Sequence, residues 1–179
     1  MIILKALKTL RFRPSLPSLN TNFTFRPHCF PRKWCGFLFI RMDKQQLLKQ
    51  SWQKGISYSE YRDLIDRLRS NNKTTGENDS EDFLRYTDLN IGRMSKWDKH
   101  FKLDEEVESQ LKKLDRSEYW LVLTEGWCGD AAHAVPVFAK MADATEDVEL
   151  RIILRDENLE LMDEYLTNGG RSIPKLIRF

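Results

Sequence analysis

Cysteine is scarce in this chain: three residues of 179, two of which, Cys29 and Cys35, fall within the first 41 residues. Three cysteines at this length do not make a disulfide framework, and everything after residue 41 has a single thiol, Cys128. Acidic side chains are missing altogether from residues 1–41, which hold eight Lys or Arg (Lys5, Lys8, Arg11, Arg13, Arg26, Arg32, Lys33 and Arg41). Long apolar runs are missing as well, since none approaches the roughly 20 residues of a membrane span, and no membrane partner is expected. Clustered positive charge is missing from the remainder. The formal net charge is +2, but taking those eight cations from the 29 leaves 21 against 27 acids, or −6 for residues 42–179. A mildly acidic body is not a nucleic-acid partner, because phosphate binding needs basic residues gathered on one face.

Residues 1–41 read as a disordered basic segment, because Pro14, Pro17, Pro27 and Pro31 interrupt any helix or strand pattern. Two explanations fit. Translation starts at Met42, with the preceding residues an over-extended reading frame, or the segment is an organellar targeting peptide, for which only Ile2 to Phe12 has amphipathic helical character. His28, Cys29 and Cys35 lack a fourth ligand at a usual zinc spacing, so no metal site and no cofactor are expected.

Residues 42–117 read as a helical extension. Leu47, Leu48 and Trp52 keep helical spacing up to Gly55, and Ser57 caps a helix carrying Tyr58, Tyr61, Leu64, Ile65 and Leu68. A polar stretch, Asn71 to Ser80, separates these from a third pattern with Phe83, Leu84, Tyr86, Leu89, Ile91 and Met94, followed by a short helix from Asp104 to Leu114. The aromatics Tyr58, Tyr61, Phe83, Tyr86 and Trp97 are expected on the buried face of a helical cap rather than in a ligand groove. The Thr74-Thr75-Gly76 loop is expected to be a solvated connection without function.

Residues 118–179 carry the chemistry. Tyr119 to Thr124 is an apolar run suited to a strand buried on both faces. After the turn Glu125-Gly126-Trp127, Cys128 opens a helix with Ala134, Val137, Phe138 and Met141 facing a core and Pro136 inside it. Val148 to Leu154 is a second strand, Asn158 is expected to cap a helix through Leu159, Leu161, Met162, Tyr165 and Leu166, and a last strand follows Ile173-Pro174. The order β-α-β-α-β places the thiol at a helix N-terminus, where free backbone N–H groups favour an anion; a depressed thiol pKa is the expectation. Asp130 in the first turn complements the dipole, and its charge opposes a thiolate. His133 lies off the thiol's face and is expected in solvent.

The Trp127-Cys128-Gly129-Asp130-Ala131 turn, Pro136 eight residues after the cysteine, and Arg171-Ser172-Ile173-Pro174 before a final strand together resemble the thioredoxin superfamily. The resemblance covers about the last 60 residues. With the stretches LVLTEGWCGDAA and LRDENLELMDEYLTNGGRSIPKLI it extends back to Met42, toward a group of bacterial thioredoxin-like proteins with an N-terminal helical extension. It implies an α/β, thioredoxin-like fold in which Cys128 attacks a disulfide while Ile173 and Pro174, the latter cis, help hold a bound peptide. Two family features are replaced: Ala131 stands at the resolving cysteine, and Val122 stands where a buried acid is expected, leaving Glu125 as the candidate to replace that acid through space. Without a second thiol the domain cannot close an internal disulfide, so a dithiol cycle is unsupported.

Two functions from different classes follow. One is monothiol disulfide exchange through Cys128, with protein thiols or disulfides, or glutathione, as partners. The other is a redox-inactive thioredoxin-fold binding module using Trp127, Ile173 and Pro174 to hold a peptide. A lone body thiol fits a reducing compartment, the bacterial cytoplasm, with an organelle as the alternative if residues 1–41 are a targeting peptide. The last expectation concerns the chain end. The family's final hairpin strand and helix have no counterpart before Phe179, so a truncated fold with an exposed sheet face is expected unless the N-terminal helices cover it.

Overall fold

A computed structural model describes residues 43–179. The expectations for residues 1–41, with His28, Cys29 and Cys35, and for a start at Met42 lie outside the described residues. The elements are α1 (Lys44–Lys54), α2 (Tyr58–Ser70), α3 (Glu81–His100), α4 (Glu105–Leu111), β1 (Glu118–Thr124), α5 (Gly129–Ala142), β2 (Val148–Leu154), α6 (Leu159–Asp163) and β3 (Lys175–Arg178).

β1 is the central strand of a β2-β1-β3 sheet. It pairs in parallel with β2, Val122 opposite Ile152, and antiparallel with β3, Leu121 opposite Ile177. A parallel neighbour needs a crossover, which α5 supplies, so β1 is covered on both faces and Leu121, Val122 and Leu123 are fully buried. The alternation along β1 then sorts the core. Val122, with Ile152 and Leu154, packs against Tyr61 and Ile65 of α2, Met94 of α3 and Val135 of α5. Trp120 and Val148 on the same side meet Leu111 of α4 and Met141 of α5. Leu121 and Leu123, with Ile153 and Ile177, face Leu47 and Leu48 of α1 and Leu161 and Met162 of α6.

The second sheet face is therefore covered, and α1 is one of the elements that covers it. Lys44 anchors that helix, its Nζ donating to Glu164 O at 2.9 Å and sitting 3.9 Å from the Tyr165 ring centroid. The outer edge of β2 is paired at one point, where Ile56 exchanges two backbone hydrogen bonds with Ile152. Ser57 and Glu60 complete a reciprocal capping box at the start of α2. No helix among the described residues is long and apolar enough to cross a membrane.

Three local expectations are corrected. α6 spans only Leu159–Asp163, because the chain turns into a Thr167–Gly170 bridge with Asn168 and Gly169 at positive φ; Leu159 and Leu166 stay exposed. Asn158 does not cap α6; its Nδ2 donates backwards to Leu154 O at 2.8 Å, bracing the end of β2. Tyr86 is not on the buried face of α3 but 48% exposed, while Tyr61 is buried.

Candidate functional site

The site forms where β1 ends. Thr124 is the last residue of the strand, Glu125-Gly126-Trp127 turns the chain, and Cys128 occupies the N-cap position of α5 with extended backbone (φ −76°, ψ 115°). The backbone N–H groups of Asp130 and Ala131 face the sulfur. From the other side the Ile173–Pro174 peptide, which is cis, brings the Ile173 carbonyl to 3.5 Å from Cys128 Sγ, where the thiol donates to it. Trp127, Gly129, Ile173 and Pro174 are half-buried around the turn, Ala131 is buried and Asp130 is exposed.

Electrostatics at the sulfur correct one expectation. Burial, the largest influence, pushes the Cys128 thiol above its ordinary value of 9.0, and the Asp130 charge pushes the same way. The amides of Ala131 and Asp130 and the Arg155 guanidinium pull it down but do not prevail. The helix-terminus argument has the right sign and loses to desolvation, because the cysteine is only 9% exposed.

Glu125 is fully buried, but it is engaged away from the thiol. Its Oε1 accepts from the Asp156 backbone N–H at 2.8 Å; the Thr75 hydroxyl comes near the carboxyl, while Oε2 has no well-formed hydrogen bond. Burial raises its pKa against the pull of Thr75 and the Asp156 amide. His133 is exposed and its Nδ1 accepts from Trp97 Nε1 at 2.8 Å. Among the described residues no group of three or more His, Cys, Asp or Glu side chains is gathered as metal ligands would be.

The helical extension contributes to the turn in ways that sequence reasoning missed. The Thr74-Thr75-Gly76 loop is not a solvated connection. Thr74 and Thr75 are buried, and Thr75 Oγ1 accepts from the Gly126 backbone N–H at 2.7 Å. Gly76 sits at φ +85°, and a Cβ there would approach Asp156 Oδ2 to 2.6 Å and Trp127 Nε1 to 3.7 Å. Asn90 of α3, fully buried, donates from Nδ2 to Gly126 O at 3.0 Å, so both backbone groups of Gly126 are held by the extension. Arg93 donates to Asn90 Oδ1 at 3.0 Å, and a Cβ on Gly129 would lie 3.3 Å from its Nη1. Phe83 packs edge-on to Trp127 with centroids 5.0 Å apart, while the Arg155 guanidinium carbon lies 5.0 Å from the Trp127 ring centroid. The one available signal was a polar residue, Asn90, in line with the apolar face that Phe83 and Met94 define.

Searches of curated proteins and of solved structures find no match to this chain. The model of a protein family described as Thioredoxin matches residues 76–179, from the loop before α3 through β3. That is more than half of the chain, and it coincides with the sheet, the Cys128 turn and the helix that braces the turn: the chain belongs to the thioredoxin family.

Proposed function

We propose that the protein carries out monothiol disulfide exchange through Cys128. The observation that supports this reading is the placement of Sγ at the start of α5, facing the amides of Asp130 and Ala131 and within 3.5 Å of the Ile173 carbonyl. The amides stabilise the thiolate as it forms, and the half-buried rim of Trp127, Ile173 and Pro174 borders the space where a partner disulfide docks. With Ala131 buried at the resolving position, the mixed disulfide is released by a second thiol from outside the domain, a protein thiol or glutathione. A lone thiol in residues 42–179 suits a reducing compartment, which we take to be a bacterial cytoplasm.

The raised thiol pKa makes this a slow exchanger at neutral pH without forbidding the reaction. The thiolate fraction is small, but the intrinsic nucleophilicity of a thiolate rises with its pKa. The same raised pKa, together with Ala131, favours a second reading: a redox-inactive module that holds a peptide against Trp127, Ile173 and Pro174.

Peptide-resolved mass spectrometry of the full chain incubated with glutathione disulfide separates the two. Exchange gives an adduct on Cys128 whose formation accelerates up to and beyond pH 9 and which free thiol reverses. Absence of any Cys128 adduct across that range rejects exchange and leaves the binding module.

A further inference from the structure

Two guanidinium groups flank the Cys128 turn, and they are used differently. Arg155 is engaged: its Nη2 lies 2.7 Å from Asp156 Oδ1, its Nη1 reaches Arg171 O at 3.5 Å, and its guanidinium faces the Trp127 ring. Arg93 is not. It is half-buried, one N–H is taken by Asn90 Oδ1, and among the described residues no carboxylate pairs with it. Its Nη1 nevertheless sits against Gly129, the residue after the thiol. Guanidinium presents five N–H donors in a planar fork, so donors remain at the rim of the site.

The charges that chiefly act on the thiol itself are those of Asp130 and Arg155. Arg93, with its Nη1 against Gly129, is placed to meet a group that arrives beside the thiol. A half-buried cation without an acid partner is only partly hydrated, and an incoming carboxylate satisfies the fork with two parallel hydrogen bonds. Asp130, which follows Gly129 in sequence, is exposed, and solvent weakens its repulsion.

Building on the exchange reading above, we propose that Arg93 is a specificity residue: it binds a carboxylate adjacent to the partner's disulfide, so that Cys128 exchanges preferentially with acidic disulfides. In the step itself the Cys128 thiol loses its proton to solvent and Sγ attacks one sulfur of the partner. The partner's S–S bond breaks as the Cys128 mixed disulfide forms, and the departing thiolate takes a proton from solvent. The partner disulfide is the oxidant, and the Arg93–carboxylate contact only orients it.

The test measures rates of Cys128 adduct formation in the full chain by peptide-resolved mass spectrometry. The probes are glutathione disulfide, neutral 2-hydroxyethyl disulfide and cationic cystamine. Comparing rate ratios between variants cancels the probes' intrinsic reactivities. Arg93→Gln is expected to lower the anionic-to-neutral ratio about tenfold, the size of one charge-assisted hydrogen bond. Arg93→Lys lowers it less, Asp130→Asn raises it, and cystamine shows the opposite trend. Raising the salt toward 1 M flattens the wild-type ratio, a readout that does not require any variant to fold. A disulfide-linked peptide with Glu beside its Cys, set against the Gln version, reports the source of the carboxylate. An Arg93-dependent preference for the Glu peptide points to protein partners, and selectivity confined to glutathione disulfide points to the small thiol. A ratio unmoved by both Arg93→Gln and salt overturns this inference while leaving exchange standing. Failure of all three probes to modify Cys128 removes the exchange reading and this inference with it.

Discussion

Asn90→Ala is the substitution whose cost follows most directly from the structure. The Asn90 amide is fully buried, with Nδ2 3.0 Å from Gly126 O and Oδ1 3.0 Å from an Arg93 nitrogen. Truncation leaves the Gly126 carbonyl buried without a partner, which costs about 1–3 kcal/mol. The half-buried Arg93 N–H can turn to water and adds little. The space left by the amide adds roughly 1 kcal/mol, from about 40 Å³ at the usual cost per unit of residual cavity. The total is about 3 kcal/mol, a midpoint shift of about 1–2 M in urea with an unchanged slope, or a fall in Tm of roughly 10 °C. The Asn90→Ala deficit is flat with pH, because neither the amide nor the Gly126 carbonyl titrates. Urea unfolding followed by tryptophan fluorescence at pH 4.5 and 7.5 measures it. A loss under about 1 kcal/mol for Asn90→Ala refutes the claim that this amide holds the turn.

Other expectations rest on different groups. Burial raises the Glu125 pKa above the ordinary 4.5, so the folded state favours the neutral acid; the stability this contributes is complete below pH 4.5 and is lost as pH climbs through the folded value. Glu125→Gln keeps the acceptor for the Asp156 N–H and removes that loss, so its Tm relative to wild type should rise between pH 4 and pH 8; parallel curves would exclude a buried titrating acid. Leu47→Ala, on the helix covering the second sheet face, should cost about 2–4 kcal/mol in urea unfolding, against near neutrality if α1 were merely appended. Gly76→Ala forces an alanine into φ +85° and crowds Asp156, for a loss of about 1–2 kcal/mol by the same assay; an unchanged midpoint would show that the Thr74–Gly76 loop tolerates another conformation.

The strands, the helix that starts at Cys128 and the Ile173-Pro174 approach were legible because each is written locally. An apolar run of six residues, a break, and apolar spacing of three and four are properties of neighbours in the chain. The Ser57 cap was legible for the same reason. What escaped depends on partners far away in sequence. Thr75 looks like any loop threonine until Gly126, 51 residues on, is seen donating to it. Asn158 looks like a cap, but Leu154 O competes for its amide. The thiol pKa shows the division most clearly. The amides that lower it belong to the next two or three residues and could be inferred, whereas the burial that outweighs them is supplied by the packed environment of the turn.

The register between α3 and the thiol turn explains why the helical extension matters to the site. Asn90 meets Gly126, Arg93 lies against Gly129, and Trp97 meets His133, each pair separated by 36 positions in sequence. A constant offset means that α3 runs alongside the turn and α5 in the same direction, like two rulers laid parallel. Sliding α3 by one residue would lose all three contacts at once and turn the buried Asn90, Thr87 and Met94 toward solvent, because successive residues point 100° apart around a helix. The placement of the Arg93 guanidinium beside Gly129 is therefore set by burial of its own helix together with the hydrogen bond from Nη1 to Asn90 that holds the end of its side chain. A cation rooted on a helix in fixed register and tied by a hydrogen bond loses less entropy on binding than one on a free loop, which is the physical ground of the Arg93 selectivity proposed above.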